Sequence, residues 1–192
     1  MRSADLTECD DVALLARARD NDRLAFGELI RRHQYSALRV AAVISGSTEE
    51  AKDIVQDAFV NVHRKLGSYR GTGSVRSWLL RVVANQAKNH VRGRIRRIRR
   101  EDRHAGLILR VEEGADLAAG RHMENITVAA ALEKLPPDDR EVLGCRFVAE
   151  LSEAETAEVL DVPIGTVKSR TSRALVKLQL ELERTDTKEV LN

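Results

Sequence analysis

Apolar positions recur every three or four residues through most of the chain, which is the spacing of helices with one buried side. In the first hundred residues this pattern predicts four helices, at 10–20, at 22–44, at 47–66 and from about 75 into a basic run. Ser45-Gly46-Ser47 interrupts the pattern, and Ser47 or Thr48 can cap the helix that follows. We find no segment whose pattern predicts a strand.

The pattern is lost between about residues 103 and 122, where three glycines lie and where we expect one transient helical turn at 107–111. Beyond this segment a pair of prolines separates a helix at 126–135 from another at 138–148, which Asp138 is expected to cap. The chain is therefore predicted to be all-α. We divide it into two small helical domains, at 10–100 and 124–184, joined by a flexible linker at 101–123.

Composition agrees with this fold class. Of the 192 residues 43% are hydrophobic but only 3% are aromatic, so the core is built from Ala, Val, Leu and Ile, which suits close packing of helices. No run approaches the roughly 18 apolar residues of a membrane-spanning helix. Acidic residues also stand where a signal peptide would be apolar. We expect a cytoplasmic protein with no membrane insertion.

Charge is segregated along the chain, although the net charge is only +2. Residues 88–103 are strongly basic, residues 133–161 are rich in acid, and residues 168–177 are basic again at helical spacing. A single basic run is commonly a solvated helix face, but each of these two lies beside a recognisable motif. Together they predict two separate contacts with a polyanion.

Residues 152–180 have the layout of a helix-turn-helix, in which a short helix and a tight turn precede a helix for the major groove. Ser152 caps the first helix, and Glu155 can complete a capping box. Pro163 stops that helix, and the second one opens at Gly165. Its predicted inward positions are Val167, Leu175 and Leu178.

The second helix exposes side chains that can read DNA. Arg pairs with guanine through two hydrogen bonds, while Lys and Ser hold phosphates or reach base edges. Free amides at residues 166–168 would add an anion-binding helix end. The candidates from these residues are Lys168, Ser169, Arg170, Ser172 and Arg173.

A second candidate surface lies in the first half, where the glycine loop 69–74 precedes a helix. Along that helix Arg81, Asn85, Lys88 and Arg92 follow at i, i+4, i+7 and i+11, so they form one stripe. A stripe of this kind can follow a single strand while the loop receives an unstacked base. Trp78 falls on the apolar side of the same helix, and we assign it to the core.

These motifs together resemble a known family. The chain looks like a bacterial sigma factor of the extracytoplasmic-function (ECF) class, the compact members of the sigma-70 family, over roughly residues 10–184. The segments that carry the resemblance follow in the order and spacing of sigma regions 2 and 4. They are LAFGELIRRH, DIVQDAFVNVHRKL, YRG with SWLLRVVANQAKNHVR, LPPDDREVLGCRF and LSEAETAEVLDVPIGTVKSR.

The resemblance implies a division of roles among the candidate residues. Asp53, Gln56 and Asp57 would dock on the β′ clamp helices of core RNA polymerase, while region 4 would meet the β flap. The −10 promoter element would be recognised and melted, without ATP, by Tyr69, Arg70, Gly71, Ser74, Arg81, Asn85, Lys88, Asn89 and Arg92. The −35 element would be contacted by Arg146, Thr166, Lys168, Ser169, Arg170, Ser172 and Arg173. An anti-sigma factor is a further expected partner.

The chain departs from the family pattern in two places. Ala149-Glu150 stands before Leu151 where the family commonly has glycine. The run from Arg92 to Arg103 also carries more arginine than the pattern requires, and its beginning at 94–100 suits contact with nucleic acid.

Two other functions compete with this reading. A LuxR-like transcriptional regulator has a similar helix-turn-helix, but its N-terminal half should contain strands. An enzyme acting on nucleic acid needs a cluster of carboxylates, His or Cys. The five histidines are scattered, Cys9 and Cys145 lie far apart, and Cys145 has the apolar surroundings of a buried, inert thiol. We therefore expect no catalytic residue, no metal and no cofactor.

Overall fold

A computed structural model describes residues 4–105, 128 and 131–190, and all regular structure in these ranges is helical. The expectation of an all-α chain is confirmed. The helices are α1 (Ala4–Thr7), α2 (Asp11–Arg19), α3 (Arg23–Ser45), α4 (Thr48–Arg64), α5 (Val75–Ala105), α6 (Pro137–Leu143), α7 (Glu153–Leu160) and α8 (Ile164–Val190). A 3₁₀ turn spans Leu66–Ser68, a π-helical turn spans Gly144–Val148, and residues 131–133 are also helical.

Local capping chemistry sets the boundaries of the first helices. Asp10, Asp22 and Ser47 each stand just before a helix, and each side-chain oxygen accepts a hydrogen bond from a backbone N–H of the first turn. Gly46 ends α3 in the left-handed conformation, with φ of 74°. The predicted boundaries at these positions are confirmed because each depends on residues adjacent in the sequence.

The N-terminal unit, residues 4–105, packs α3, α4 and α5 against one another, with α2 lying against α3. Its core is mainly aliphatic, and α4 contributes the buried residues Ala51, Ile54, Val55, Ala58, Phe59 and Val62. The largest fully buried side chains of this unit are Leu14, Leu15, Leu29, Val40, Ile54, Val62, Leu79, Leu80 and Val83. This packing leaves one side of α4 and one side of α5 facing outward.

The C-terminal unit packs α6, α7 and α8 around a smaller core. Over residues 164–184 of α8 the buried residues are Val167 and Ala174, with Leu178 partly buried, so they follow at i, i+7 and i+11. Leu175, which we expected to point inward, is 43% exposed. It lies about 100° around the helix from Ala174, which takes the inward position instead.

The structure differs from the expected segment ends in three places. Asp138 does not cap α6, because Pro136 occupies the N-cap position and Asp138 falls in the first helical turn. In the segment predicted as one helix at 138–148, the α-helical part ends at Leu143, and residues 144–148 form the π-helical turn. α5 runs to Ala105, so residues 101–105 of the predicted linker are helical, while residues 106–123, with the turn expected at 107–111, lie outside the described residues.

The two units are in contact. α7 packs on α5, while α6 and the π-helical turn pack on α3. Within this contact, Gly144 of the π-helical turn lies against the side chain of Val43 on α3. The C-terminal unit therefore covers part of the outward side of α5.

Candidate nucleic-acid interface

Hydrogen bonds hold the glycine loop, residues 69–74, at its first residue and between Tyr69 and Gly73. The Arg19 guanidinium of α2 donates hydrogen bonds to the carbonyl oxygens of Leu66 (2.8 Å) and Tyr69 (2.6 Å). The Tyr69 hydroxyl donates to the carbonyl of Gly73 at 2.9 Å. Gly71 and Gly73 have φ of 76° and 74°, values that side-chain-bearing residues rarely adopt. The role of Arg19 was not predicted, since its partners lie about fifty positions away in the chain.

A cleft of about 340 Å³ opens between this loop and the start of α5. The rings of Tyr69 and Trp78 lie in it with centroids 5.8 Å apart. Trp78 also packs against the buried core, as expected, so it is a core residue with one edge in the cleft. The cleft lining is Ser68, Tyr69, Arg70, Thr72, Gly73, Ser77, Trp78, Arg81 and, from the C-terminal unit, Glu158.

The expected stripe on α5 is formed, but the C-terminal unit engages part of it. Asn85, Asn89 and Arg92 are exposed. Arg81 and Lys88 are half-buried because each forms an ion pair across the contact, Arg81 with Asp161 and Lys88 with Glu141 at 3.1 Å.

Two arginines of α5 form contacts that were not expected from the sequence. Arg76, in the first turn of α5, forms an ion pair with Glu155 of α7, and its position falls outside the stripe spacing. Arg94, which we expected to suit nucleic acid, pairs with Glu50 of α4 at 3.0 Å and donates to the carbonyl of Ser45. It therefore ties α5 to its own unit.

The acidic side of α4 is exposed to solvent, as expected. Asp53, Gln56 and Asp57 are all exposed and share one side of the helix, opposite the buried Ile54 and Val55. Among the described residues neither aspartate forms an ion pair.

The helix-turn-helix has the expected construction at its first helix. The Ser152 hydroxyl accepts from the Glu155 amide at 3.2 Å, and the Glu155 carboxylate accepts from the Ser152 amide at 2.8 Å, which confirms the capping box. Asp161 ends α7 in the left-handed conformation, with φ of 60°. Glu150, at the position where we noted a departure from glycine, is also left-handed, with φ of 55°, and pairs with Arg39 of α3 at 2.8 Å.

The anion-binding helix end that we expected at 166–168 is displaced. α8 begins at Ile164, and the amides of Thr166 and Val167 both donate to the carbonyl of Pro163, at 2.9 and 3.2 Å. Because the helix starts before Gly165, the unsatisfied amides of its first turn belong to Ile164 and Gly165.

The remaining DNA-reading candidates lie on one side of α8. Lys168, Ser169, Ser172 and Arg173 are exposed, while Thr166 and Arg170 are half-buried. Arg170 forms an ion pair with Asp138 of α6 at 3.1 Å, and Lys168 lies 3.6 Å from a carboxylate oxygen of Glu153.

Arg146 lies apart from this row, in the π-helical turn. Its guanidinium donates to the carbonyl of Leu151 and lies 6.0 Å from the centroid of the Phe147 ring.

Among the described residues of the C-terminal unit, two groups have a clearly displaced pKa. Burial opposes ionisation of Glu155, but hydrogen bonds from Ser152 and the nearby Arg76 guanidinium outweigh it and hold the pKa of Glu155 below its ordinary value. Burial raises the pKa of the Cys145 thiol to about 12, and the expected burial of this thiol is confirmed. Within the part of the chain that the structure describes, no cluster of His, Cys, Asp or Glu could hold a metal ion, and no helix is long and apolar enough to cross a membrane.

The fold and these surfaces define a helical DNA-binding protein that carries a helix-turn-helix and a separate basic stripe beside a cleft. The family model for Sigma-70 region 2 matches residues 29–103, and that for Sigma-70, region 4 matches residues 126–178. The chain belongs to the sigma-70 family and, within it, to the ECF sigma factors. Sigma factors are non-enzymatic RNA polymerase subunits, and this one directs transcription initiation.

Individual relatives agree with this assignment. The chain is 38% identical over 172 residues to the ECF RNA polymerase sigma factor SigM of Mycobacterium tuberculosis, covering 89% of this chain and 84% of the relative. It is 34% identical over 180 residues to the RNA polymerase sigma-H factor of Pseudomonas aeruginosa, covering 88% and 92%. Among solved structures, CnrH in complex with the cytosolic domain of CnrY matches with a TM-score of 0.67 at 28% identity, covering 91% of this chain and 97% of that one.

The competing LuxR-like reading requires strands in the N-terminal half. Residues 4–105 contain none, and most of that half matches sigma region 2 instead.

Proposed function

We propose that the chain binds core RNA polymerase and selects promoters by reading the −10 element with its N-terminal unit and the −35 element with its C-terminal unit. The observation that carries this proposal is the cleft beside the glycine loop. It opens directly onto the start of the α5 stripe, so an aromatic-lined cavity and a row of cationic and amide side chains follow one another.

At the −10 element the cleft would receive one unstacked base of the nontemplate strand. Tyr69 and Trp78 supply aromatic surface in the cleft, and the exposed Arg70 lies at its rim. A base that has left the duplex can be held by stacking of this kind. Because the cleft binds only an unpaired base, binding shifts the promoter toward the open form and needs no ATP.

The strand would then follow α5. Arg81, Lys88 and Arg92 would neutralise successive phosphates, and the exposed Asn85 and Asn89 would meet base edges. The glycine loop, with Gly71 and Ser74, would close around the strand from the other side.

At the −35 element α8 would enter the major groove. Arg170 and Arg173 are the candidates for bidentate contacts with guanine. Thr166, Lys168, Ser169 and Ser172 would hold phosphates or reach neighbouring bases, and Arg146 would approach the backbone from the π-helical turn.

The polymerase contacts would lie elsewhere on the surface. The exposed acidic side of α4, formed by Asp53, Gln56 and Asp57, would dock on the β′ clamp helices, and the C-terminal unit would meet the β flap. We also propose an anti-sigma factor as a partner, since the chain resembles CnrH, which was solved in complex with the cytosolic domain of CnrY.

Run-off transcription with purified core polymerase on a promoter library tests the overall proposal and identifies a preferred promoter. On that promoter, Asn85→Ala is expected to leave initial binding nearly intact and to reduce open-complex formation, measured by permanganate reactivity of unpaired thymines. A template with a pre-melted −10 bubble should partly rescue it. Arg170→Ala should weaken closed-complex formation, and the bubble should not rescue it.

Gln34→Ala serves as the matched control, because Gln34 is an exposed amide on α3 outside every proposed contact. If Asn85→Ala melts DNA normally, or if the bubble rescues both variants equally, the proposed division between the two units is wrong.

A further inference from the structure

Arg19, the last residue of α2, reaches the segment that leads into the glycine loop. Its Nε donates to the carbonyl oxygen of Leu66 at 2.8 Å, and its Nη2 donates to that of Tyr69 at 2.6 Å. Leu66 opens the 3₁₀ turn and Tyr69 follows its last residue, so one guanidinium spans the whole turn. Because the donors of a guanidinium form a rigid planar fork, the two bonds together set the direction in which the chain enters the loop.

We propose that Arg19 is a positioning residue for capture of the unstacked −10 base: it fixes the backbone of Tyr69, and with it the ring on which the base stacks, before DNA arrives. The inference rests on the function proposed above for the cleft. Arg19 is absent from the described residues that line the cleft, so it would act through Tyr69 and not on the base itself.

Tyr69 is held at both of its ends. Arg19 binds the carbonyl oxygen, while the Tyr69 hydroxyl donates to the carbonyl of Gly73 at 2.9 Å. The ring between these two contacts lies 5.8 Å from the ring of Trp78, with 59° between the planes. Trp78 packs against the core, so the position of the Tyr69 ring decides how wide the aromatic part of the cleft is.

The loop has little means of fixing this geometry by itself. Residues 69–74 contain no helix or strand, and Gly71 and Gly73 give the unbound loop many alternative conformations. A loop that becomes ordered only when its ligand binds lowers the affinity by the free energy of ordering. A contact that orders the loop in advance therefore strengthens base capture without touching the base.

α2 is a suitable support for such a contact because α3 fixes it independently. Arg17 donates from Nε and Nη2 to one carboxylate oxygen of Asp22, at 2.9 and 2.7 Å, across the turn between α2 and α3. Leu14 and Ala18 of α2 are buried, and the helix packs on α3. Arg19 therefore extends toward the loop from a helix that the loop does not have to hold in place.

Three variants of the full chain separate positioning from charge. Arg19→Ala removes both hydrogen bonds and places a strong helix former at an exposed position. Arg19→Lys keeps the positive charge, but a single ammonium group does not reproduce the planar fork. Arg23→Ala is the matched control, because Arg23 is exposed at the start of α3 and forms no ion pair or side-chain hydrogen bond among the described residues.

Base capture is measured on the holoenzyme, the chain bound to core RNA polymerase. The probes are fluorescein-labelled single-stranded oligonucleotides that carry the nontemplate −10 sequence of the promoter selected from the library. One probe is intact, and each of the others has an abasic site at one position. The ratio of intact to abasic affinity reports the contribution of that base, and the position with the largest ratio identifies the base in the cleft. Tyr69→Ala tests this assignment.

We expect the wild-type holoenzyme to bind the intact probe about tenfold more tightly than the probe that lacks the captured base. Arg19→Ala should lower this ratio to roughly threefold or less, with the affinity for the abasic probe unchanged. Arg19→Lys should also lower the ratio, whereas Arg23→Ala should keep it. A general loss of structure would weaken binding of both probes alike and would leave the ratio unaltered.

The remaining outcomes overturn the inference in different ways. Equal weakening of both probes by Arg19→Ala, restored by Arg19→Lys, would mean that Arg19 attracts DNA phosphates instead of positioning the loop. An unchanged ratio in Arg19→Ala would mean that the loop captures the base without this contact. If the wild-type ratio is one at every −10 position, or if Tyr69→Ala leaves the ratio intact, the proposed function of the cleft fails, and the role of Arg19 fails with it.

Discussion

Neutralising Asp138 is expected to strengthen binding to the −35 element. Its carboxylate lies 3.1 Å from a guanidinium nitrogen of Arg170, the half-buried candidate for a base contact on α8. Arg170 cannot give all of its donors to a base while this ion pair is intact. Asp138→Asn removes the competing charge and keeps the size of the side chain.

The structure sets the size of the effect. The Asp138 side chain is 69% exposed and that of Arg170 is 24% exposed, so the pair belongs with surface ion pairs, worth about 0.2–1 kcal/mol. At 1.4 kcal/mol per tenfold change, Asp138→Asn should tighten DNA binding roughly 1.4- to 5-fold. Arg170→Ala should cost about 1–3 kcal/mol if the residue reads a base bidentately, or roughly 5- to 150-fold in the opposite direction.

The assay is a double-mutant cycle on the holoenzyme. Wild type, Asp138→Asn, Arg170→Ala and the double variant are compared for closed-complex formation on the promoter selected from the library. Asp20→Asn, which removes one exposed charge from the N-terminal unit, controls for the change in net charge. The gain from Asp138→Asn should disappear when Arg170 is absent.

Two outcomes would refute this reasoning. Weaker binding by Asp138→Asn would mean that the carboxylate positions Arg170 for its base instead of competing for it. A gain that persists in the Arg170→Ala background would mean that Asp138 acts on the DNA phosphates directly.

Two further predictions concern other parts of the chain. Charge reversal at both Asp53 and Asp57 should weaken binding to core polymerase in a pull-down. The helical circular dichroism should stay unchanged, because both side chains are exposed and unpaired among the described residues. An unaltered affinity would contradict the docking role of α4. Ser152→Ala should destabilise the C-terminal unit by about 1 kcal/mol, seen as a lower midpoint of thermal unfolding, and Ser152→Asp should restore most of the loss, since both Ser and Asp can accept the Glu155 amide.

The parts of the fold that could be predicted are those determined by neighbouring residues. Asp22 and Ser47 cap helices through hydrogen bonds to amides two or three residues on, and Ser152 does the same within its capping box. The exposed side of α4 likewise follows from spacing alone. Leu175 shows the limit of this reasoning, because two adjacent apolar residues, Ala174 and Leu175, compete for one inward position and only the packing partner decides between them.

Contacts between distant positions could not be predicted in the same way. A charge pattern shows that Arg81 and Lys88 are basic and that residues 133–161 are acidic, but many pairings satisfy such a pattern. Arg19 reaches carbonyl oxygens of the backbone, which every residue carries, so no residue type marks its partners. The π-helical turn also depends on tertiary packing, since its sequence is compatible with an ordinary helix.

The left-handed backbone at Glu150 lowers the stability of the C-terminal unit, while the Glu150 side chain strengthens the contact of this unit with α3. A side-chain-bearing residue at φ of 55° costs the C-terminal unit about 1–2 kcal/mol, whether or not the other unit is near. Glycine would remove most of that cost, but it would also remove the carboxylate that Arg39 binds. Substituting glycine here should therefore give a C-terminal unit that is more stable alone and less firmly attached to its neighbour. Residue 150 therefore couples the stability of the C-terminal unit to the strength of its contact with α3.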